Sequence, residues 1–454
     1  MEAQEHHHGA QVPQHVKFPL YGECSVAWRR GTTGAVPLTL SANNVQPEPD
    51  IPILLAFSGG LDTSFCIPFL RDTYGEPVHA VTVDTGGVDD PEALAERAEA
   101  LGAAAHHLID AREALFAEHL RYLIAGNVMR GQVYPLCVGA ERVVQAREVA
   151  RLAEQLGART VAHGSTGAGN DQVRFDVALR ALGGDALDVI APVREHELSR
   201  EESTAYLKER GFAAPSEGPS NGTAYSVNRG LWGATVGGRE THTSRRPLPD
   251  AAYPDTVAPA DAPDEAQTLT LSFEEGIPTA LDGDALDPVP LIEALAEMGG
   301  KHGVGRGVHT GDTVLGIKGR VGFEAPAATI LIAAHRELEK IVLTQAQRFQ
   351  KNHLADTYGA LLHEGQHFDP VMRDIEAFLE SSQAVVTGEV DVELFKGNAR
   401  VLGCDSPFSM MDAGRADYGE THRAWDGRDA EGFSKITGMQ SVLAGKARSA
   451  MRDS

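Results

Sequence analysis

With 454 residues, the chain has room for two domains, or for one domain with a large insertion. Its 42% hydrophobic and 23% charged residues are those of an ordinary globular protein. A formal net charge of −24 argues against nucleic acid as a partner, because phosphates would be repelled, and apolar runs such as Ile51 to Phe57 fall short of the roughly 20 residues needed to cross a bilayer.

Residues 1–50 read as a tail without apolar periodicity, carrying polar clusters such as Glu5-His6-His7-His8, and their acidic, His-rich start predicts no secretory leader. Cys24, Cys66, Cys137 and Cys404 show no CxxC spacing, which predicts free thiols and a cytoplasmic setting. From Ile51 the texture changes. A buried strand to Phe57 runs into a Gly-rich turn and a helix through Leu70, and a second strand follows at 78–83. Asp90-Pro91-Glu92 opens a helix with proline in its first turn, and a third strand lies near 106–109. A long helix is predicted from about Ala140 to Leu156, then strands at 160–163 and 188–191, then a helix begun by the capping box of Ser199 and Glu202. Strands alternating with helices predict a parallel sheet, giving a nucleotide-binding α/β domain over 51–214. Pro/Gly/Asp-rich stretches then break the rhythm and predict an α+β domain over 215–414, including a helix at 333–347. A C-terminal tail, 415–454, carries a terminal helix at 434–451.

Ser58-Gly59-Gly60-Leu61-Asp62-Thr63-Ser64 sits where the first strand turns into a helix. Ligands bind at the carboxyl ends of strands in such sheets, glycines let backbone approach an oxyanion, and the helix start presents free N–H groups. Ser58, Thr63 and Ser64 add hydroxyl donors, while Asp62 makes sense beside a polyphosphate if it orients donors or helps hold Mg²⁺. The Gly-Lys-Ser/Thr ending of a Walker loop is absent. A second dense motif, His163-Gly164-Ser165-Thr166-Gly167-Ala168-Gly169-Asn170-Asp171-Gln172-Val173-Arg174-Phe175-Asp176, also leaves a strand into a Gly-rich loop. Its polar side chains suit a zwitterionic amino acid, with Asp171 facing the ammonium.

The first heptapeptide resembles the pyrophosphate loop of the N-type ATP pyrophosphatases. They include synthetases for GMP, NAD, asparagine and argininosuccinate, as well as tRNA-thiolating enzymes. Both motifs together resemble argininosuccinate synthases, and the likeness continues through Tyr134-Pro135-Leu136, Ala191-Pro192-Val193-Arg194-Glu195, Tyr225-Ser226-Val227-Asn228, Leu231-Trp232-Gly233, Gly303-Val304-Gly305-Arg306, Gly316-Ile317-Lys318 and Phe323-Glu324-Ala325-Pro326. The resemblance implies an adenine nucleotide alpha hydrolase-like domain followed by a synthetase domain and a helical tail. ATP would be bound by Ala56, Phe57, Ser58, Gly59, Gly60, Leu61, Asp62, Thr63, Ser64, Val83 and Gly164. Aspartate would be bound by Thr166, Asn170 and Asp171, and citrulline by Tyr134, Asn170, Arg174, Ser226 and Thr235. Asp62, Asp171 and Arg174 would act by positioning, with no nucleophilic side chain required. The implied reaction consumes ATP with Mg²⁺, passes through citrullyl-AMP, and yields argininosuccinate, AMP and pyrophosphate in arginine biosynthesis. A homotetramer held partly by the C-terminal segment is implied too.

Several positions depart from the family pattern. Gly139 stands for a Ser, Ala168 for a Lys, Asn228 for an Asp, Gly237 and Gly311 for Glu residues, and Phe323 for a Tyr. Either Asp312 and Glu240 stand in for the lost carboxylates, or the acceptor lacks a free α-amino group, as an N-acylated citrulline or another ureido compound would. Two rivals stay in view. His363-Glu364-Gly365-Gln366-His367 matches H-E-x-x-H, but the internal Gly and the following Phe368-Asp369-Pro370 predict a helix end rather than a zinc helix. A tRNA-modifying pyrophosphatase would want a basic face and a reactive cysteine, and Cys137 reads as a core residue instead.

Overall fold

The computed structural model describes residues 51–215, 225–411 and 425–452. Strand β1 (Ile53–Ala56) is apolar throughout, and Ile53, Leu54 and Leu55 are fully buried. Such a run suits a strand covered on both faces by helices. It occupies the middle of a parallel sheet ordered β3-β2-β1-β4-β5, with β2 (Val78–Asp84), β3 (Ala105–Asp110), β4 (Thr160–His163) and β5 (Asp188–Ile190). Ala56 pairs with Val81 on one side and with His163 on the other. The chain therefore reverses its direction of travel across the sheet at β1, and the loops after β1 and β4 leave side by side. That is where an open α/β sheet forms its cleft.

The helices follow their sequence signals. Helix α1 (Leu61–Tyr74) ends on Gly75 at φ +71°, and α2 (Pro91–Ala100) starts where Asp90 accepts the Ala93 N–H at 2.9 Å. Short helices α3 (Arg112–Leu115) and α4 (Arg121–Ala125) lead into a loop, then comes α5 (Gly139–Leu156). Helix α6 (Asp171–Gly183) begins inside the second Gly-rich motif, and α7 (Pro192–Glu195) is followed by α8 (Arg200–Glu209), whose capping box is formed as expected.

Beyond residue 224, two antiparallel sheets carry the chain. One is ordered β11-β12-β7-β6, from β6 (Tyr225–Gly230), β7 (Gly233–Gly238), β11 (Arg306–Asp312) and β12 (Lys318–Glu324). The other is ordered β10-β9-β8-β13-β14, from β8 (Gln267–Glu274), β9 (Ile277–Leu281), β10 (Asp284–Ala285), β13 (Gly388–Phe395) and β14 (Asn398–Asp405). Helices α9 (Pro288–Lys301), α10 (Pro326–Val342), α11 (Gln345–His363) and α12 (Pro370–Gln383) join them.

Two predicted helices have different boundaries. The segment read as one helix at 333–347 is the seam between α10 and α11. Leu343 is extended, and Thr344 with Gln347 forms a capping box that starts a new helix. The terminal segment folds as α13 (Gly427–Thr437) and α14 (Met439–Arg452), parted at Gly438. Phe433, Ile436, Val442 and Leu443 on these two helices are exposed.

Helix α10 carries a buried polar knot inside an apolar core. Glu339 receives the Asn127 amide at 2.6 Å, the Gln383 amide at 3.2 Å and the Lys351 ammonium at 3.0 Å, while His335 bridges Asn127 and Gln383 at 2.8 Å each. Lys351 also donates to the Ala125 carbonyl at 2.8 Å. A buried charge survives only when paired and hydrogen-bonded, so this knot ties α10, α11 and α12 to the loop that follows α4.

Candidate active site

The Ser58–Ser64 loop is braced by its own hydroxyls. Thr63 Oγ1 accepts from the Ser58 N–H at 3.4 Å and donates to the Gly60 carbonyl at 3.3 Å, and Ser64 Oγ donates to the Gly59 carbonyl at 3.3 Å. Gly59 is required twice over: its φ is +74°, and a Cβ there would lie 2.4 Å from Leu94 Cδ2. The first intrahelical bond of α1 runs from the Ser64 N–H to the Gly60 carbonyl at 2.9 Å, so the earlier amides have no partner within the helix. Burial pushes the Asp62 carboxyl up, with Arg200 opposing. Arg97 was not singled out from sequence. Its Nε donates to Ser64 Oγ at 3.0 Å while its Nη2 is buried and unpaired, adding a guanidinium beside the loop.

Gly164, after β4, lies against this loop, since a Cβ on it would fall 2.9 Å from Thr63 Cγ2 and 3.0 Å from the Thr63 nitrogen. Val83 is the penultimate residue of β2, and the next, Asp84, accepts the Gly86 and Gly87 amides on Oδ1 at 2.8 and 3.2 Å. The Leu231 N–H donates to the Thr85 carbonyl at 2.8 Å, locking the β6–β7 hairpin onto that turn. A concavity of about 520 Å³ is lined by His106, His107, Glu148 and Arg151 at edge strand β3, away from both loops.

In the second motif, Asp171 accepts from Arg142 Nε at 2.9 Å and from Arg174 Nη1 at 2.7 Å. Burial raises its carboxyl, but the two guanidiniums override this and hold it down at about 2. Asn170 Oδ1 accepts the Val314 N–H at 2.9 Å, which leaves its amide nitrogen free to face a ligand. Thr166 is exposed at the loop tip. Behind the loop, Asp176 joins His163 at 2.9 Å and Arg194 at 3.0 Å.

The remaining predicted residues meet on one sheet face. In the β6–β7–β12–β11 register, Ser226 pairs with Gly237, Asn228 with Thr235, Thr235 with Phe323, and Phe323 with Gly307. Directly opposed residues share a face, and alternation adds His309 and Gly311 to it. Tyr134 approaches this face, 5.5 Å from the His309 ring and 5.3 Å from Phe323. Its loop is strained, with Asn127, Gln132 and Leu136 all at positive φ, and is tied down by the Trp232 Nε1–H to the Pro135 carbonyl at 2.8 Å.

Asp312 does not stand in for the missing carboxylates. It falls on the opposite face of β11 and pairs with Lys318 at 2.5 Å, while Glu240 accepts the Tyr225 hydroxyl at 2.9 Å. Histidines fill the space instead. A Cβ on Gly311 would lie 2.6 Å from His309 Nε2, and one on Gly139 would touch His363 Cα at 3.7 Å. His363 ends α11 and binds Arg174 twice, through its carbonyl at 2.8 Å and its Nδ1 at 3.0 Å. The H-E-x-x-H reading fails on geometry, because the helix stops and Gly365 takes φ +77°, so His367 faces the His119 ring instead. Among the described residues no cluster of three or more His, Cys, Asp or Glu could hold a metal, and Cys137 is buried with its thiol pushed well up.

Glu141 is a further residue that sequence reasoning missed. Neither of its carboxylate oxygens has a hydrogen-bond partner, and the Arg142 guanidinium lies 3.5 Å away. Burial raises this carboxyl to about 8, against the pull of Arg142. It presses on Gly230, where a Cβ would sit 1.5 Å from Oε1.

Two family models match in sequence order: the Arginosuccinate synthase N-terminal HUP domain over residues 52–213 and the Arginosuccinate synthase C-terminal domain over residues 225–444. The chain belongs to the argininosuccinate synthase family. The argininosuccinate synthase of Xanthomonas campestris is 44% identical over 399 residues, covering 86% of this chain and 97% of its own. That of Methanocaldococcus jannaschii is 38% identical over 391 residues, with the same coverages, and that of Synechocystis is 39% identical over 398, covering 87% and 98%. The parallel sheet with its paired loops is the HUP domain of this family, and the antiparallel sheets belong to its C-terminal domain. No helix among the described residues is long and apolar enough to cross a membrane.

Proposed function

We propose that this chain joins citrulline to aspartate at the expense of ATP, as a carbon–nitrogen ligase forming argininosuccinate. The observation that supports this reading is the seating of Gly164 on the Ser58–Ser64 loop, which brings the two Gly-rich loops side by side. The ureido oxygen of citrulline attacks the α-phosphorus, the bond to the bridging oxygen breaks, and pyrophosphate leaves. The aspartate amine then attacks the activated ureido carbon, loses a proton, and AMP departs.

The protein's share is positioning and charge stabilisation. The α1 amides, the loop hydroxyls and Arg97 face the departing pyrophosphate, with Ala56, Phe57 and Val83 at the strand ends beside the nucleotide. Thr166, Asn170 and Asp171 hold aspartate. Asp171 stays ionised because Arg142 and Arg174 flank it, which suits a partner for an ammonium rather than a general base. Tyr134, Asn170, Arg174, Ser226 and Thr235 receive citrulline. Asp62 is the loop's own carboxylate and would hold Mg²⁺ together with phosphate oxygens and water, an ion that would supply charge neutralisation at the leaving group. The exposed apolar side chains of α13 and α14 support assembly into a homotetramer, and free Cys66, Cys137 and Cys404 suit the cytoplasm.

Citrulline carrying ¹⁸O in its ureido group tests the reaction. The label is expected in AMP, with pyrophosphate release requiring both amino acids for sustained turnover. Formation of ADP, or unlabelled AMP, would refute the mechanism. A second reading, the same chemistry on an N-acylated citrulline, is favoured by the glycines at 237 and 311 on the acceptor face. Comparing turnover of citrulline and N-acetylcitrulline decides between them, and a clear preference for the free amino acid would remove the second.

A further inference from the structure

Three buried nitrogens at the acceptor end of the cleft have no partner: Nη1 of Arg130, Nε2 of His309 and Nε2 of His363. They come from the loop after α4, from β11 and from the last residue of α11, so nothing in sequence spacing links them. Tyr134 and Arg174 bring them together. The His309 ring stacks on Tyr134 at 5.5 Å and 21°, and Arg130 exchanges backbone hydrogen bonds with Tyr134 at 2.7 and 3.0 Å. His363 receives the Arg174 guanidinium on Nδ1 at 3.0 Å.

That last contact decides a tautomer. An arginine can only donate, so Nδ1 of His363 must be the acceptor and the ring proton sits on Nε2. The unpaired Nε2 is therefore an N–H with nothing to donate to. His363 stays neutral, since burial and the neighbouring Arg174 push it down to about 3. Arg130 spends Nη2 on the Asp312 carbonyl at 2.9 Å, and among the described residues no carboxylate pairs with it. A half-buried guanidinium with one buried nitrogen unpaired and no direct ion pair, beside two orphaned imidazole nitrogens, is costly unless a ligand completes it.

The surrounding backbone makes room for this group. A Cβ on Gly131 would lie 3.1 Å from the His309 ring, and one on Gly311 would lie 2.6 Å from its Nε2. Gly139 similarly lets the end of α11 approach. The donors are thus fitted into glycine-lined space rather than left over from a surface.

We propose that Arg130, His309 and His363 form an anion subsite that holds the carboxylate of the ureido acceptor beside Arg174. The assignment rests on the reaction proposed above and names its specificity: the acceptor is read by its carboxylate. The acceptor sheet face, with glycine at 237 and 311, offers no acid there to read an ammonium.

Pyrophosphate release with saturating ATP and aspartate tests this, using citrulline and citrullinamide, in which the carboxylate is an uncharged amide. Wild-type enzyme should use citrullinamide at least ~10-fold less efficiently, as expected for losing charge-assisted hydrogen bonds. Arg130→Gln should raise KM for citrulline ~10–100-fold, leave KM for ATP and aspartate unchanged, and leave citrullinamide turnover unaffected. His309→Phe, which keeps the ring on Tyr134, should produce the same pattern at smaller size. Unchanged citrulline KM in Arg130→Gln, or an equal loss for both acceptors, would overturn the subsite while leaving the reaction standing. A wild-type enzyme inert towards citrulline would sink the reaction, and this assignment with it.

Discussion

The proposed nucleotide loop takes seven consecutive residues, Ser58 to Ser64, and offers mainly backbone amides and short hydroxyls. The proposed acceptor end draws Tyr134, Arg174, Thr235, His309, Phe323 and His363 from separate segments and offers mainly side chains. The first is rigid by local geometry, because Gly59 has both its torsion and its space dictated. The second is rigid only because distant elements press on it. A site of the first kind resists change in the rest of the fold, whereas one of the second kind inherits every packing change around it.

The knot at Glu339 gives the most severe way to separate the two. Glu339→Ala leaves Lys351 buried without its counter-ion and should cost about 3–5 kcal/mol of stability, read from urea unfolding midpoints. Because Asn127 and Lys351 anchor the loop after α4, KM for citrulline should rise before KM for ATP does. Equal damage at both ends would erase the contrast.

At the other end, Gly59→Ala should lower pyrophosphate release by about 10²–10³-fold, the range for losing preorganised oxyanion donors. KM for citrulline should change little. Retained activity would show that the loop tolerates a side chain against Leu94.

The last test concerns pH. The Glu141 carboxyl is raised in the fold to about 8, above its unfolded value of about 4.3. Its protonated form therefore favours folding, and that contribution is lost as pH rises from about 4 through 8, with a slope of up to about 1.4 kcal/mol per pH unit. Glu141→Gln should flatten stability measured between pH 5 and pH 9. An unchanged slope would show that the side chain is already ionised, held by Arg142.

Legibility followed the same division. The Gly-rich turn into α1, the capping box at Ser199 and the Pro91 helix start were readable because each is a short-range pattern that local hydrogen bonding explains. Thr344 shows the limit, since its box with Gln347 was equally local yet hidden inside a continuous apolar period. Arg97, Glu141, Arg130 and His309 left no signal, because an unpaired buried atom is a property of surroundings and not of neighbours in sequence.

The sequence by itself determined the parallel nucleotide-binding domain and the two Gly-rich loops, Ser58 to Ser64 and Gly164 to Phe175, that leave its central strands. Hydrophobic period, turn glycines and helix starts act within a few residues of one another. Only the tertiary structure decided what surrounds the acceptor. Sheet register put Ser226, Thr235, Phe323 and His309 on one face, and glycines at 139 and 311 admitted two histidines where carboxylates and hydroxyls were sought. Register and close approach are set by packing between elements far apart in the chain, which no local pattern encodes.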